Sequence, residues 1–238
     1  MRSLRTASAL RSITVGVTAA VLLGLPATAA SSSADAVTAV KAPRHETSIR
    51  FLDFDHTRGY GSPTHVRGQV TASVRGQRGA VQGVRVRLYR QLRGSSSWVL
   101  LGSDYTSHTA HPAFEFTARS KGNATYRVVY AGNDHLKRSR GATSVSVYRR
   151  ITSSVEDGSG RFHGRVTPAY GGKQVALQKR TCASCGWRTV RTQSASRRGS
   201  FSFTTDAPAH GRFYFRVSAP ASTAFITSYS GVYSTRQS

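Results

Sequence analysis

From residue 47 onward, one order of short motifs is written twice. Val66-Arg67-Gly68-Gln69-Val70-Thr71 is answered by Phe162-His163-Gly164-Arg165-Val166-Thr167, and Val86-Arg87-Leu88 by Val175-Ala176-Leu177. Trp98 is answered by Trp187, Leu101 by Val190, Phe114-Glu115-Phe116 by Phe201-Ser202-Phe203, and Tyr126-Arg127-Val128 by Phe215-Arg216-Val217. The first pair stands 96 residues apart and the others 87 to 89. A kept order with small shifts is what two copies of one unit, with insertions in loops, produce. A unit of about 90 residues is too long for a solenoid repeat. It has the size of a small domain, so each copy is expected to fold around its own core.

The period inside each copy is two. Apolar residues alternate with Arg in Val84-Arg85-Val86-Arg87-Leu88, and Ser200-Phe201-Ser202-Phe203-Thr204 and Phe213-Tyr214-Phe215-Arg216-Val217 keep the same step. Such runs set one side on a core and the other in water. Turn-forming clusters separate them: Arg93-Gly94-Ser95-Ser96-Ser97, Lys121-Gly122-Asn123, Ala131-Gly132-Asn133-Asp134 and Tyr170-Gly171-Gly172. Short strands with a turn every ten residues or so predict an all-β chain of antiparallel sandwiches. No helical stripe occurs beyond the first thirty residues.

Those thirty residues have the layout of a secretory signal peptide. Arg2, Arg5 and Arg11 precede the apolar run Ile13–Leu25, Pro26 breaks it, and Ala27-Thr28-Ala29 supplies small residues for cleavage after Ala29, Ala30 or Ala36. The run is shorter than the 20 or so residues a spanning helix needs, and no later run reaches that length. The expectation is a secreted, extracellular protein with no membrane span after cleavage. Residues 31–46 read as a flexible lead-in.

The run V-R-G-Q-V-T, then V-R-V-R-L-Y-R, a Gly/Ser turn, S-W, F-E-F and Y-R-V-V-Y-A-G-N resembles the bacterial immunoglobulin-like repeat of secreted actinobacterial proteins. The second copy, with G-R-V-T-P-A-Y-G-G-K-Q-V-A-L-Q-K-R, G-W-R-T-V and F-R-V-S-A-P, is similar to the companion form of that family. The resemblance spans roughly residues 47–236. It implies two tandem immunoglobulin-like sandwiches, 47–148 and 149–238, and little about function, because the family serves as a spacer and display module in many settings. Two features depart from it: the aromatic and acidic Phe51-Leu52-Asp53-Phe54-Asp55, and a Cys pair in the second copy. With Val145–Val147 ending one sandwich and Ile151–Val155 starting the next, only Tyr148-Arg149-Arg150 joins them, which predicts an elongated pair with little swing.

The two Cys, Cys182 and Cys185, fall on the hairpin turn that the first copy closes with Gly94–Ser97. A redox C-x-x-C wants a helix N-terminus to lower the thiolate pKa, and none is predicted there. A zinc site needs four ligands, and the 8 His offer no matching spacing. A local disulfide pinning the hairpin is the expectation, as export permits. The acids are few and scattered. Asp53 and Asp55, two apart on one strand face with Glu46 nearby, raise a weak calcium site against plain edge solvation. No G-x-S-x-G elbow and no H-E-x-x-H occurs. His108 and His111 read as loop residues. The chain is therefore expected to be no enzyme, with no metal and no cofactor.

What sets the composition apart is charge: 34 Lys+Arg against 10 Asp+Glu, a formal +24. Loss of the three signal-peptide Arg leaves 31 against 10, or +21. A field of that sign draws polyanions. The residues expected to carry it are Arg85 and Arg87 on one strand, the cluster Lys137, Arg138 and Arg140, the joint residues Arg149 and Arg150, and Arg188 and Arg191. Trp98 and Trp187 are stacking candidates for sugars or bases, against packing on their own hairpins. Strand parity sets each opposite Leu101 and Val190 unless a bulge intervenes. The function expected is a noncatalytic cationic interaction or spacer module at the cell envelope or outside it, as a monomer. A dedicated binder of wall polymer, acidic glycan or nucleic acid is the alternative, and protein partners remain compatible with either.

Overall fold

A computed structural model describes residues 43–156, 160–168 and 170–236. The signal segment, most of the lead-in, and Asp157 and Gly158 lie outside the described residues. Among the described residues there are strands, turns and bends but no α-helix, and none long and apolar enough to cross a membrane. The chain is all-β.

Two sheets enclose a first core. One joins β1 (Thr47–Phe54), β3 (Pro63–Val74) and β4 (Gln77–Ala80) in that order, with β7 (Phe114–Arg119) also on β3. The other runs β2 (Thr57–Gly59), β9 (Ser139–Tyr148), β8 (Ala124–Tyr130), β5 (Arg85–Leu92), β6 (Val99–Tyr105). All these pairs are antiparallel except β2 with β9, which is parallel. The β3–β4 hairpin turns on Arg75 and Gly76, both at positive φ (51° and 80°). That is the twist a two-residue hairpin requires. A second core lies between β10 (Arg150–Glu156), β11 (Arg161–Thr167) and β14 (Ser200–Thr204) on one side and β13 (Arg188–Ser194), β12 (Gln174–Arg180), β15 (Phe213–Ala219), β16 (Ser228–Tyr229) on the other, with β17 (Tyr233–Thr235) also on β15.

The period-two runs fill these cores as their alternation requires. Val86, Leu88, Tyr126 and Val128 are buried in the first, Val175, Leu177, Phe215 and Val217 in the second. Local irregularities recur with the motifs. The β5–β6 ladder slips after Leu88 and the β12–β13 ladder after Leu177, 89 residues on, leaving Leu101 and Val190 bulged. Leu101 leans on the first core while Val190 stays exposed. Gly68 pairs with Phe114 and Gly164 with Phe201, and in both cases the ring lies against the glycine: a Cβ would meet Phe114 Cζ at 2.6 Å or Phe201 Cζ at 2.7 Å. An aromatic ring covering a strand glycine fills the space the missing side chain leaves.

The joint differs from the expected three residues. β9 runs through Tyr148 and β10 begins at Arg150, so Arg149 alone lies between them. The first core also takes residues from the far end of the chain. The segment joining β15 to β16 folds on Ser222 and Phe225, and Phe225, 6% exposed, belongs to the first core beside Tyr60. Asn123 ties the strap down. Its amide donates to the Ala224 carbonyl (2.7 Å) and its Nδ2 to the Thr223 carbonyl (3.1 Å), while Ile226 N–H donates to the Val147 carbonyl (2.9 Å).

Candidate functional site

The alternation that buries one face of each large sheet exposes the other. In the first half, Arg85, Arg87 and Tyr89 of β5 stand out between buried Val86, Leu88 and Arg90. Arg127 and Val129 alternate with the buried residues of β8, and exposed Arg140 lies on β9. Register makes one cross-strand row of Arg87, Val129 and Arg140, and the next of Tyr89, Arg127 and Ala142. Arg85 Nη2 donates to Ser103 Oγ (3.0 Å). The one acid in these five strands, Asp104, sits opposite buried Val86 and accepts the Glu115 amide of β7 (2.8 Å), so it is turned toward the other sheet.

The second half repeats this with more aromatic rings. Gln178 and Arg180 of β12 and Tyr214, Arg216 and Ser218 of β15 share the outer face, with Gln178 opposite Arg216 and Arg180 opposite Tyr214. Strands β12, β13, β15, β16 and β17 contain no acid. Arg216 lies 4.3 Å from the Trp187 ring centre and 3.9 Å from that of Tyr229, and its Nε donates to Gln178 Oε1 (2.8 Å). Arg180 lies 4.7 Å from Trp187 and 5.0 Å from Tyr214. Burial pulls the Arg216 guanidinium below its ordinary pKa; Tyr229 opposes that fall and the like charge of Arg180 adds to it.

Several expected site residues move. Arg149 is no surface cation: it is 3% exposed, with Phe225 (4.2 Å) and Tyr170 (4.9 Å) against its guanidinium and Ser222 Oγ accepting from Nη2 (3.2 Å). Burial lowers its pKa, with Tyr170 opposing, and an Arg remains cationic regardless. The rings that bury it come from residues 21 and 76 positions downstream, beyond what a local reading reaches. Both Trp rings are part-buried and have cations over them: Arg127 lies 3.6 Å from the Trp98 ring centre, and Arg216 and Arg180 lie 4.3 and 4.7 Å from that of Trp187. Lys137 is exposed but held by Glu46 (2.5 Å). Arg138, Arg150, Arg188 and Arg191 are exposed, Arg150 on the smaller sheet of the second half. Arg127 and Arg216, absent from the charge clusters, are central to the two faces. Their signal was the matched Tyr126-Arg127-Val128 and Phe215-Arg216-Val217. Lys179 turns the other way, onto Phe213 (3.3 Å) and Asp206 (2.7 Å), and by that hydrogen bond holds the Asp206 carboxyl below its ordinary pKa.

Cys182 and Cys185 form a disulfide that closes the turn leading to Trp187. No group of three His, Cys, Asp or Glu able to hold a metal occurs among the described residues. A bridge closing so small a loop adds roughly 2 kcal/mol at most, and the first half closes the same hairpin without one. Cys182→Ser is therefore expected to leave the second core folded, with a native circular-dichroism spectrum and a small fall in unfolding midpoint. Loss of cooperative unfolding would give the bridge a far larger part in folding.

No family model and no curated protein matches the chain. Among solved structures it is similar to superoxide reductase (neelaredoxin) from Ignicoccus hospitalis at 18% identity, covering 42% of this chain and 80% of that one, TM-score 0.33. It is also similar to the human OSCAR ligand-binding domain (16%, 80% and 99%, 0.27) and the chicken interferon gamma receptor alpha chain (7%, 77% and 96%, 0.41). At these scores none of them bears on what the protein does, and the reading below rests on its own residues.

Proposed function

We propose that this is an exported, noncatalytic protein of two tandem immunoglobulin-like sandwiches that acts as a cationic interaction and spacer module, holding to anionic polymers of the cell envelope or its surroundings. One observation carries the reading: among the described residues, no strand of either large sheet sets a carboxylate on its Arg-bearing outer face, because the single acid in those strands, Asp104, is turned toward the other sheet. A face built so has no internal counter-charge to compete with an external one. The signal-like N-terminal segment and the Cys182–Cys185 bridge suit a compartment outside the reducing cytoplasm.

The test is salt-dependent binding of polyphosphate, polygalacturonate and duplex DNA. Affinity is expected to fall steeply as ionic strength rises, since each neutralised duplex phosphate contributes roughly 0.9 to the slope of log affinity against log salt. Arg85→Glu with Arg87→Glu is expected to weaken binding to all three polymers and flatten the slope. An unchanged slope would remove the first face from the binding surface.

A further inference from the structure

We propose that Arg180, Arg216 and Trp187 form a clamp for the carboxylate groups of an acidic polysaccharide, on the outer face of β12 and β15. The inference rests on the polyanion reading above and narrows it to one site and one ligand class. Two guanidiniums lie 4.7 and 4.3 Å from the same indole ring, and none of the five strands of their sheet supplies an acid. Like charges gathered around one ring repel, and an anion placed between them relieves that repulsion. Arg216 commits its Nε to Gln178, which leaves its terminal nitrogens to a ligand. Arg180 Nε is buried without a hydrogen-bond partner among the described residues. Guanidiniums stacked on rings keep their N–H edges in plane, the geometry that meets a carboxylate through two parallel bonds.

The pair is an addition in the second half. Arg127 over Trp98 matches Arg216 over Trp187 at a spacing of 89 residues, but the position matching Arg180 is Gln91. The second half also carries the disulfide-closed turn, which ends two residues before Trp187. The ring arrangement favours a glycan over single-stranded nucleic acid. Trp187 already carries two guanidiniums, whereas base binding relies on open ring faces. Tyr229, opposite Ser218 in the neighbouring cross-strand row and 46% exposed, has Arg216 3.9 Å from its ring centre and offers the rest of its apolar edge beside that charge for a sugar ring to pack against.

Titration calorimetry of the full chain with oligogalacturonate, and with single-stranded DNA of equal charge, at physiological salt tests this. Oligogalacturonate is expected to bind more tightly than the DNA. Arg180→Lys keeps the net charge and removes the planar fork, and it is expected to lose about tenfold in affinity, the size of one charge-assisted hydrogen bond. Arg180→Gln is expected to lose at least as much with an unchanged unfolding midpoint, since Gln91 fills the matching position in the first half. If Arg180→Lys binds like the unaltered chain, or DNA binds as well as the glycan, the clamp is overturned. If that holds while the Arg85/Arg87 reversal still weakens binding, the diffuse reading stands alone. If the unaltered chain binds no polyanion, both fall.

Discussion

Phe225→Ala is expected to lower the stability of the half of the chain that does not contain it in sequence. The ring is 6% exposed and belongs to the core of the N-terminal half. It meets Tyr60 at 6.0 Å between ring centres and Arg149 at 4.2 Å. Truncating a buried Phe to Ala costs about 3–5 kcal/mol through lost transfer energy and the cavity left behind. For a protein of this size that amounts to a fall in unfolding temperature on the order of 10 °C. The strap's backbone bonds to Asn123 and Val147 link both halves, so the unaltered chain is expected to unfold in one transition. The two Trp, one in each half, make this measurable. In a Trp187→Phe background Trp98 reports the first half alone, and its denaturant midpoint is expected to shift when Phe225 is changed. A Trp98 transition indifferent to Phe225→Ala would mean that the strap is an ornament on a self-sufficient first core. Cooperative unfolding of the unaltered chain in two separate steps would say the same.

That dependence marks where the sequence stops being informative. Period-two alternation is a local property, and it placed Val86, Leu88, Tyr126, Val128 and their later counterparts inside two cores without reference to distant residues. The same alternation set Arg127 and Arg216 outward. Neither belongs to a run such as Lys137-Arg138-Ser139-Arg140, where charge is dense along the chain. A sheet gathers its charge across strands: Arg87 and Arg140 share a row although 53 residues separate them. Arg149 failed for the opposite reason. A residue between two strands reads as exposed, and only the arrival of Phe225 and Tyr170 buries it. Its Nε and Nη1 find no partner among the described residues, so the two rings and Ser222 are what it has in place of a carboxylate. The Trp rings were ambiguous for a third reason. Parity set each opposite Leu101 or Val190 unless a bulge intervened, and a bulge stands at both places.

The repeated glycine offers a sharp contrast between two sites that the sequence presents as equals. Gly68 and Gly164 occupy the same place in V-R-G-Q-V-T and F-H-G-R-V-T, and each lies beneath a Phe ring. Their partner strands come to different distances. A Cβ on Gly68 would meet the Arg50 carbonyl oxygen and Phe114 Cζ, both at 2.6 Å. A Cβ on Gly164 would run much deeper into the Thr152 carbonyl oxygen of β10, with Phe201 Cζ at 2.7 Å and Ser153 Cα at 2.9 Å. Rings can swing aside, but ladder backbone moves only by breaking pairs along β10 and β11. Forcing extra carbon into packed surroundings costs about 1–3 kcal/mol, more where relief is blocked. Gly164→Ala is therefore expected at or above the upper end of that range, and Gly68→Ala below it, by denaturant midpoint. Adding Phe201→Leu is expected to recover only part of the Gly164→Ala loss, because the carbonyl stays in place. Full recovery would make the ring, and not the backbone, the reason that position requires glycine. Both glycines lie on the smaller sheets, away from the Arg-bearing faces. Folded Gly68→Ala protein should thus bind polyanions like the unaltered chain, which separates loss of stability from loss of binding surface.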